Sequence, residues 1–282
     1  MEKIAIVTDS SCDLNEDIIS EYNINVLPLL VVYTNKTYRD RIDIKPQEVY
    51  DSLETEIPKT SMPYINDARI LFNRLKTKKY THVIVISISS GLSGTYGMLN
   101  MVCKEYEEMK IKLIDSKSLS MGLGFIVYEV AKAVKEGKSF EEACLLAEKI
   151  KERVELFYII KTLKYLKAGG RIGKVVATVG EILNLKPIIS INEDGTYYSY
   201  TKTLGWHKAI KKLLEIFKEK IGDEKVNIAV MNSGDREEAD EIIRRVKKMG
   251  ININKLFTGQ ISPALVVHTG KLLGLIFYSI GR

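Results

Sequence analysis

Over the first half of the chain, short apolar runs alternate with amphipathic stretches, a pattern that predicts a parallel sheet covered by helices on both faces. Ile4–Val7 reads as a strand and Asp13–Tyr22 as the helix after it, with Asp13 placed to cap its N-terminus. Val26–Tyr33 reads as a second strand, with Pro28 near its start. Pro46–Leu53 and Asp67–Leu75 carry helical periodicity, the first with its proline where a helix tolerates one best. Val83–Ile88 is a buried strand that runs into a Ser/Gly cluster and then a helix over Tyr96–Met109. Ile111–Ile114 is a further strand, and helices follow over Gly122–Lys135 and Phe140–Val154.

The second half changes character. Leu185–Ile191 and Thr196–Tyr200 flank Asn192-Glu193-Asp194-Gly195, and an Asp-Gly tip between two apolar runs is a hairpin signal. Helix His207–Lys220, strand Val226–Met231, helix Arg236–Met249 and strands near Asn252–Phe257 and Leu273–Tyr278 complete a mixed sheet with helices on one face. The expected fold class is therefore α/β. Residues 1–155 form an N-terminal three-layer α/β/α domain with a parallel sheet, and residues 156–282 a C-terminal α/β domain with a mixed sheet.

Composition narrows the function more than the fold. Apolar residues make up 45% and charged residues 28%, as in ordinary globular proteins, and the net charge of +6 is dispersed among alternating Lys, Arg and Glu on helix faces. No basic stripe is interleaved with aromatics, which argues against nucleic acid, while the positive excess favours an anionic ligand or partner surface. Cys12, Cys103 and Cys144 lie far apart without metal-ligand spacing and read as free thiols of a reducing cytoplasm. Met1-Glu2-Lys3 leads straight into a strand without a signal-peptide pattern, and no apolar run reaches membrane-spanning length, so a cytoplasmic protein is expected.

The candidate chemistry sits in polar loops at strand ends. Thr8-Asp9-Ser10-Ser11, Ser87–Thr95 and Asp115-Ser116-Lys117-Ser118-Leu119-Ser120 each follow a strand, and in an open parallel sheet such loops line one crevice. Lys59-Thr60-Ser61-Met62-Pro63 offers adjacent hydroxyls before a helix. In Ser93-Gly94-Thr95, a hydroxyl between glycines at a helix start suits an anion site and suits an N-cap equally. Arg171 stands in the glycine-rich Lys167-Ala168-Gly169-Gly170-Arg171-Ile172-Gly173, where it fits a carboxylate partner or an exposed turn. Of three histidines, His82 and His207 read as surface or packing residues, while His268 ends an apolar run before Gly270. No phosphate loop, dinucleotide fingerprint, zinc motif or nucleophile elbow is present. Two alternatives stay open on residue types. One is a serine hydrolase or transferase built on Ser93, His268 and Asp9. The other is a phosphate- or nucleotide-binding protein using the Ser93 loop, with Asp9 and Asp115 as magnesium ligands.

In order along the chain, Thr8-Asp9-Ser10-Ser11-Cys12-Asp13-Leu14, Thr60-Ser61-Met62-Pro63, Ser90-Gly91-Leu92-Ser93-Gly94-Thr95-Tyr96, Asp115-Ser116 with Gly122-Leu123-Gly124, Leu163–Ile172, Leu183–Ile189 and His268-Thr269-Gly270 resemble the DegV family almost end to end. The resemblance implies a two-domain carrier that performs no chemistry and needs no cofactor or metal. It would hold one long-chain fatty acid, such as palmitate, in a tunnel between the domains and present it to a separate ATP-dependent fatty acid kinase. On that resemblance Ser93 and the Thr60/Ser61 pair hold the carboxylate, with Gly94 and Thr95 in the same loop, and Arg171 and His268 supply the supporting polar shell. The family pattern continues from its late histidine as Gly-Pro-Gly, where this chain has Gly270-Lys271-Leu272. An arginine that many members place after the hairpin corresponds here to Lys202, with Lys208 nearby as a second partner-facing position. Phe125-Ile126, Ile159-Ile160, Val179, Ile182-Leu183 and Leu265 are the candidates for the tunnel lining.

Overall fold

Two apolar runs buried on both faces, Ile4–Asp9 and His82–Ser87, make the centre of the first sheet. In the computed structural model, which describes residues 2–173, 175, 184–234 and 236–281, the first half runs β1 (Ile4–Asp9), α1 (Glu16–Glu21), β2 (Asn25–Leu27), β3 (Leu30–Val32) and β4 (Thr37–Arg39). It continues through α2 (Pro46–Ser52), β5 (Lys59–Ser61), α3 (Ile65–Thr77), β6 (His82–Ser87), α4 (Thr95–Cys103), β7 (Lys110–Asp115), α5 (Ser120–Lys135) and α6 (Phe140–Arg153). Strands β2-β1-β6-β7 pair in parallel as a four-stranded sheet. Alternation along the strands sends Ala5, Val7, Val83 and Val85 to a core with α3 and α4, and Ile6, Ile84 and Ile86 to a core with α5 and α6. That is the expected three-layer arrangement.

Then come β8 (Glu155–Ile160), α7 (Lys164–Ala168), β9 (Leu185–Ile191), β10 (Tyr197–Leu204), α8 (Trp206–Ile221), β11 (Val226–Asn232), α9 (Arg236–Lys248), β12 (Ile253–Gln260), α10 (Pro263–Thr269) and β13 (Leu272–Ser279). They form a mixed six-stranded sheet, β10-β9-β8-β13-β11-β12, in which only β11 and β12 run parallel. One face, with Phe157, Ile159, Leu273 and Leu275, packs on α8 and α9. The other, with Leu156, Tyr158, Leu272 and Ile276, joins the core that contains α5. The Phe125 ring of α5 lies 5.1 Å from that of Tyr278 and 5.4 Å from that of Phe257, both in this second sheet, while the same helix also packs on β1 and β6 of the first.

Several elements depart from expectation for identifiable reasons. Pro28 has no N–H to continue a ladder, so the run Val26–Tyr33 splits between β2 and β3, which belong to different sheets. Strand β3 centres a small antiparallel sheet, β4-β3-β5, which carries Thr60 opposite Val31 and Ser61 opposite Leu30. Asp13 does not cap α1. It adopts a left-handed conformation, φ 53°, and Asn15 caps the helix by accepting from the Ile18 N–H. The helix begun at Thr95 ends at Cys103, short of Met109. Strand β8 and helices α7 and α10 were not anticipated. The hairpin was: its Asp194-Gly195 tip turns with Gly195 at φ 77°. All three cysteines are free thiols.

Candidate functional site

At the carboxyl ends of β1, β6 and β7, buried carboxylates tie the loops together. Asp9 accepts from the N–H of Ser11 and, across the loops, from the N–H of Ile88 at 2.7 Å. Burial pushes its carboxyl above the usual range against the pull of those bonds. The hairpin tip of the second half closes over this edge: Ser89 Oγ donates to Gly195 O at 2.7 Å. A β-carbon on Gly91 would stand 2.8 Å from the carbonyl oxygens of Asp194 and Gly195, so the approach requires glycine there. Leu92, Ser93 and Gly94 are thereby fixed at the junction of the two halves.

Helix α10 reaches the same junction from the other side. Its opening N–H groups are taken by carboxylates of the first half, Ser262 N by Asp13 at 2.8 Å and Ala264 N by Asp40 at 3.0 Å. Both acids are buried, which raises Asp13 to about 7 and Asp40 to about 6; Arg41 offsets part of the rise at Asp13. Anchored in this way, α10 delivers His268 in its last turn.

There the imidazole Nε2 lies 2.7 Å from Thr60 Oγ1. The ring is 8% exposed, and desolvation, with a smaller contribution from Arg171, lowers its pKa to about 4, so it is neutral at physiological pH. Its Nδ1 meets no partner among the described residues. An unpartnered buried acceptor costs less than a stranded N–H, which puts the proton on Nε2, aims it at Thr60 Oγ1, and leaves the threonine hydroxyl free to donate onward. Arg171 donates to Leu92 O at 3.3 Å and to Gly169 O at 2.7 Å, and has no carboxylate within ion-pair distance among the described residues. Ser93 Oγ sits 2.8 Å from Thr95 Oγ1.

These groups surround a cavity of about 250 Å³ whose polar wall is Thr60, Ser61, Ser93, Arg171 and His268. Its apolar wall, Leu119, Tyr197 and Leu265, continues into a slot lined further by Leu156, Tyr158, Met231 and Ile276. The free bore of that slot is about 20 Å³, close to the room of one water molecule. A cation and neutral hydroxyls stand at one end of an apolar slot, an arrangement whose chemistry suits an amphipathic anion.

The structure thus gathers Thr60, Ser61, Ser93, Gly94, Arg171 and His268 around one cavity. Thr95 is fully buried behind Ser93 and props its hydroxyl rather than lining the space. Leu265 lines both cavity and slot. Phe125, Ile126, Ile159 and Ile160 are core residues away from the lining; Ile159 faces the opposite side of its sheet. Val179, Ile182 and Leu183 lie outside the described residues. Sequence reasoning placed the loop that carries Leu119 on the crevice but missed Tyr197, because an inward position in an ordinary hairpin strand leaves no compositional mark. Lys202 and Lys208 are exposed, on β10 and α8, away from the cavity. The hydrolase triad is not assembled, since His268 bonds Thr60, Ser93 bonds Thr95 and Asp9 is spent on Ser11 and Ile88. Asp115 is likewise committed, to Ser90 and Lys117. Among the described residues no group of acids, cysteines or histidines has the geometry of a metal site, and no helix is long and apolar enough to cross a membrane.

The family profile of DegV matches residues 3–279. A DegV domain-containing protein of Clostridium acetobutylicum is 46% identical over 279 residues, covering 99% of both chains. Among solved structures, a fatty-acid-binding DegV family protein from Thermus thermophilus superposes with a TM-score of 0.92 at 28% identity, covering 99% of this chain and 100% of its own. DegV from Bacillus subtilis, a fatty acid binding protein, gives 0.91 at 26% identity with the same coverage. With a profile spanning nearly its whole length and a relative this similar, the chain belongs to the DegV family.

Proposed function

We propose that this protein is a carrier that binds a single long-chain fatty acid, its carboxylate among Thr60, Ser93 and Arg171 and its alkyl chain in the slot beyond Leu265 and Tyr197. The observation that carries the reading is the continuity of polar cavity and apolar slot through Leu119, Tyr197 and Leu265. The fatty-acid-binding structures that share this fold support it. On this reading residues 1–155 and 156–282 act as two domains with the ligand between them.

The energetics suit a carrier. Each buried methylene contributes about 0.8 kcal/mol, so a sixteen-carbon chain contributes on the order of 10 kcal/mol before association costs. A hydroxyl–carboxylate hydrogen bond adds roughly 1.5–3 kcal/mol. The slot, with free space of about 20 Å³, has to widen to admit an alkyl chain; burial of the chain then sets affinity, and the hydroxyls set register and direction. Arg171, with part of its guanidinium held by Leu92 and Gly169, attracts the carboxylate without a dedicated two-pronged pair. A head group held mainly by neutral donors stays available to a second protein, and we assign that role to a separate ATP-dependent fatty acid kinase docking near the exposed Lys202 and Lys208. Lysines there keep the positive charge but lack the guanidinium fork.

Solvent extraction of the purified protein followed by mass spectrometry tests the reading. A near-stoichiometric long-chain fatty acid is expected. A lipid-free protein that also fails to take up palmitate or oleate would overturn it.

A further inference from the structure

The slot shares part of its wall with a second opening. Met231 and Ile261 line both the slot and a larger cleft of about 620 Å³. Helix α10 connects the two openings, with His268 at the polar cavity and its N-cap Ser262 at the cleft. At about 1.5 Å of rise per residue, the six steps between them span roughly 9 Å. An extended sixteen-carbon acid, a zigzag of fifteen bonds of about 1.5 Å, is roughly 19 Å long. A chain of that length with its carboxylate at Thr60 and Ser93 therefore projects its last carbons past Met231 into the cleft.

The inner part of the cleft is apolar, with Leu14, Ile18, Met121 and Phe257, while its rim carries Arg41, Lys45 and Lys255. The acids facing it are Asp13 and Glu16. Arg41 is engaged with both, lying 3.8 Å from Glu16 and acting on the buried Asp13. Among the described residues Lys255 donates to the Tyr128 hydroxyl, at 2.9 Å, and lies over the rings of Tyr128 and Phe257; Glu21 feels its charge from farther off. Among the described residues neither Lys45 nor Lys255 has a carboxylate within ion-pair distance. A terminal methyl gains nothing from two ammonium groups that lack a carboxylate partner, whereas an anion does.

Resting on the fatty-acid reading, we propose that this cleft is a second subsite that receives the far end of the chain and favours one bearing a carboxylate: a long-chain dicarboxylic acid.

Titration calorimetry of the delipidated full-length protein with palmitate and with hexadecanedioate tests this. The double variant Lys45→Gln/Lys255→Gln is expected to bind hexadecanedioate about 5-fold more weakly than the parent with palmitate affinity unchanged, the scale of two exposed ion pairs. In the unaltered protein, raising salt toward ~1 M should weaken hexadecanedioate more than palmitate, a comparison that asks nothing of a variant's folding. Equal responses of the two acids to both changes, or palmitate binding without hexadecanedioate binding, would overturn the second subsite alone. Binding of neither acid by the unaltered protein would overturn the carrier reading and the subsite with it.

Discussion

Gly169 and His268 fit so closely that a β-carbon on the glycine would stand 2.0 Å from the imidazole Nδ1. Gly169 has φ −79°, a conformation open to alanine, so the requirement for glycine here is one of space rather than backbone. Gly169→Ala must push the ring off Thr60, and overpacking of this kind costs about 1–3 kcal/mol. The expected outcome is a modest fall in melting temperature with a clear loss of fatty-acid affinity. Retained affinity in calorimetry would show that the His268–Thr60 contact does not organise the site.

Ser93→Ala removes one hydroxyl from the cavity wall while Thr95 keeps its place in the start of α4. Losing a hydrogen bond to a charged group, roughly 1.5–3 kcal/mol, corresponds to about a tenfold to hundredfold rise in Kd. The far-ultraviolet spectrum and melting curve should be nearly unchanged, because the residue stands in a loop. Full lipid occupancy of the variant after purification would count against a carboxylate at Ser93.

Asp40 gives the α10 anchor a pH signature. Its carboxyl is held at about 6 against an ordinary 3.8, so the folded state keeps its proton where the unfolded chain has released it. Its stabilising contribution is complete below about pH 4 and fades as pH rises through about 6, a difference of roughly 3 kcal/mol if nothing else relaxes. Asp13 acts in the same direction up to about 7, and His268, lowered to about 4, acts in the opposite one. Asp40→Asn keeps an acceptor for the Ala264 N–H and removes the titration. Relative to the parent, the variant should gain melting temperature as pH rises from 5 to 7. Parallel curves would mean that Asp40 is ionised throughout.

Much of this architecture is legible in the sequence. Ile4–Asp9 and His82–Ser87 are apolar enough to be strands in any reading, and the Asp194-Gly195 turn fixes its hairpin. What escaped is what tertiary partners decide. The run through Pro28 looks continuous until two different sheets claim its halves. Asp13 looks like a cap for the helix that follows it, but it caps the start of α10, 249 residues away. In α10, Val266, Val267 and Thr269 are β-branched residues in a helix, stabilised there by burial rather than propensity. Ser93, Arg171 and His268 are singled out by the family resemblance, since their local patterns suit an N-cap, an exposed turn or an ordinary buried histidine just as well. Tyr197, on the apolar wall, is not, since it looks like any other core residue.

Gly274 lies on the slot wall in β13, and a β-carbon there would meet its nearest neighbours at ordinary contact, 3.5 Å from Ile276 Cδ1 and 3.7 Å from Met231 Cβ and Tyr158 Cβ. The backbone therefore accepts alanine, and replacing a strand glycine stabilises by roughly 0.5–1 kcal/mol. The added methyl nevertheless occupies a passage whose free bore is about 20 Å³. Stability and long-chain binding should move in opposite directions in Gly274→Ala: a higher melting temperature, weaker palmitate binding and little change for an acid too short to reach β13. A uniform loss for short and long acids would place the effect at the polar cavity instead. Unchanged palmitate affinity would mean that the alkyl chain takes another route through the core.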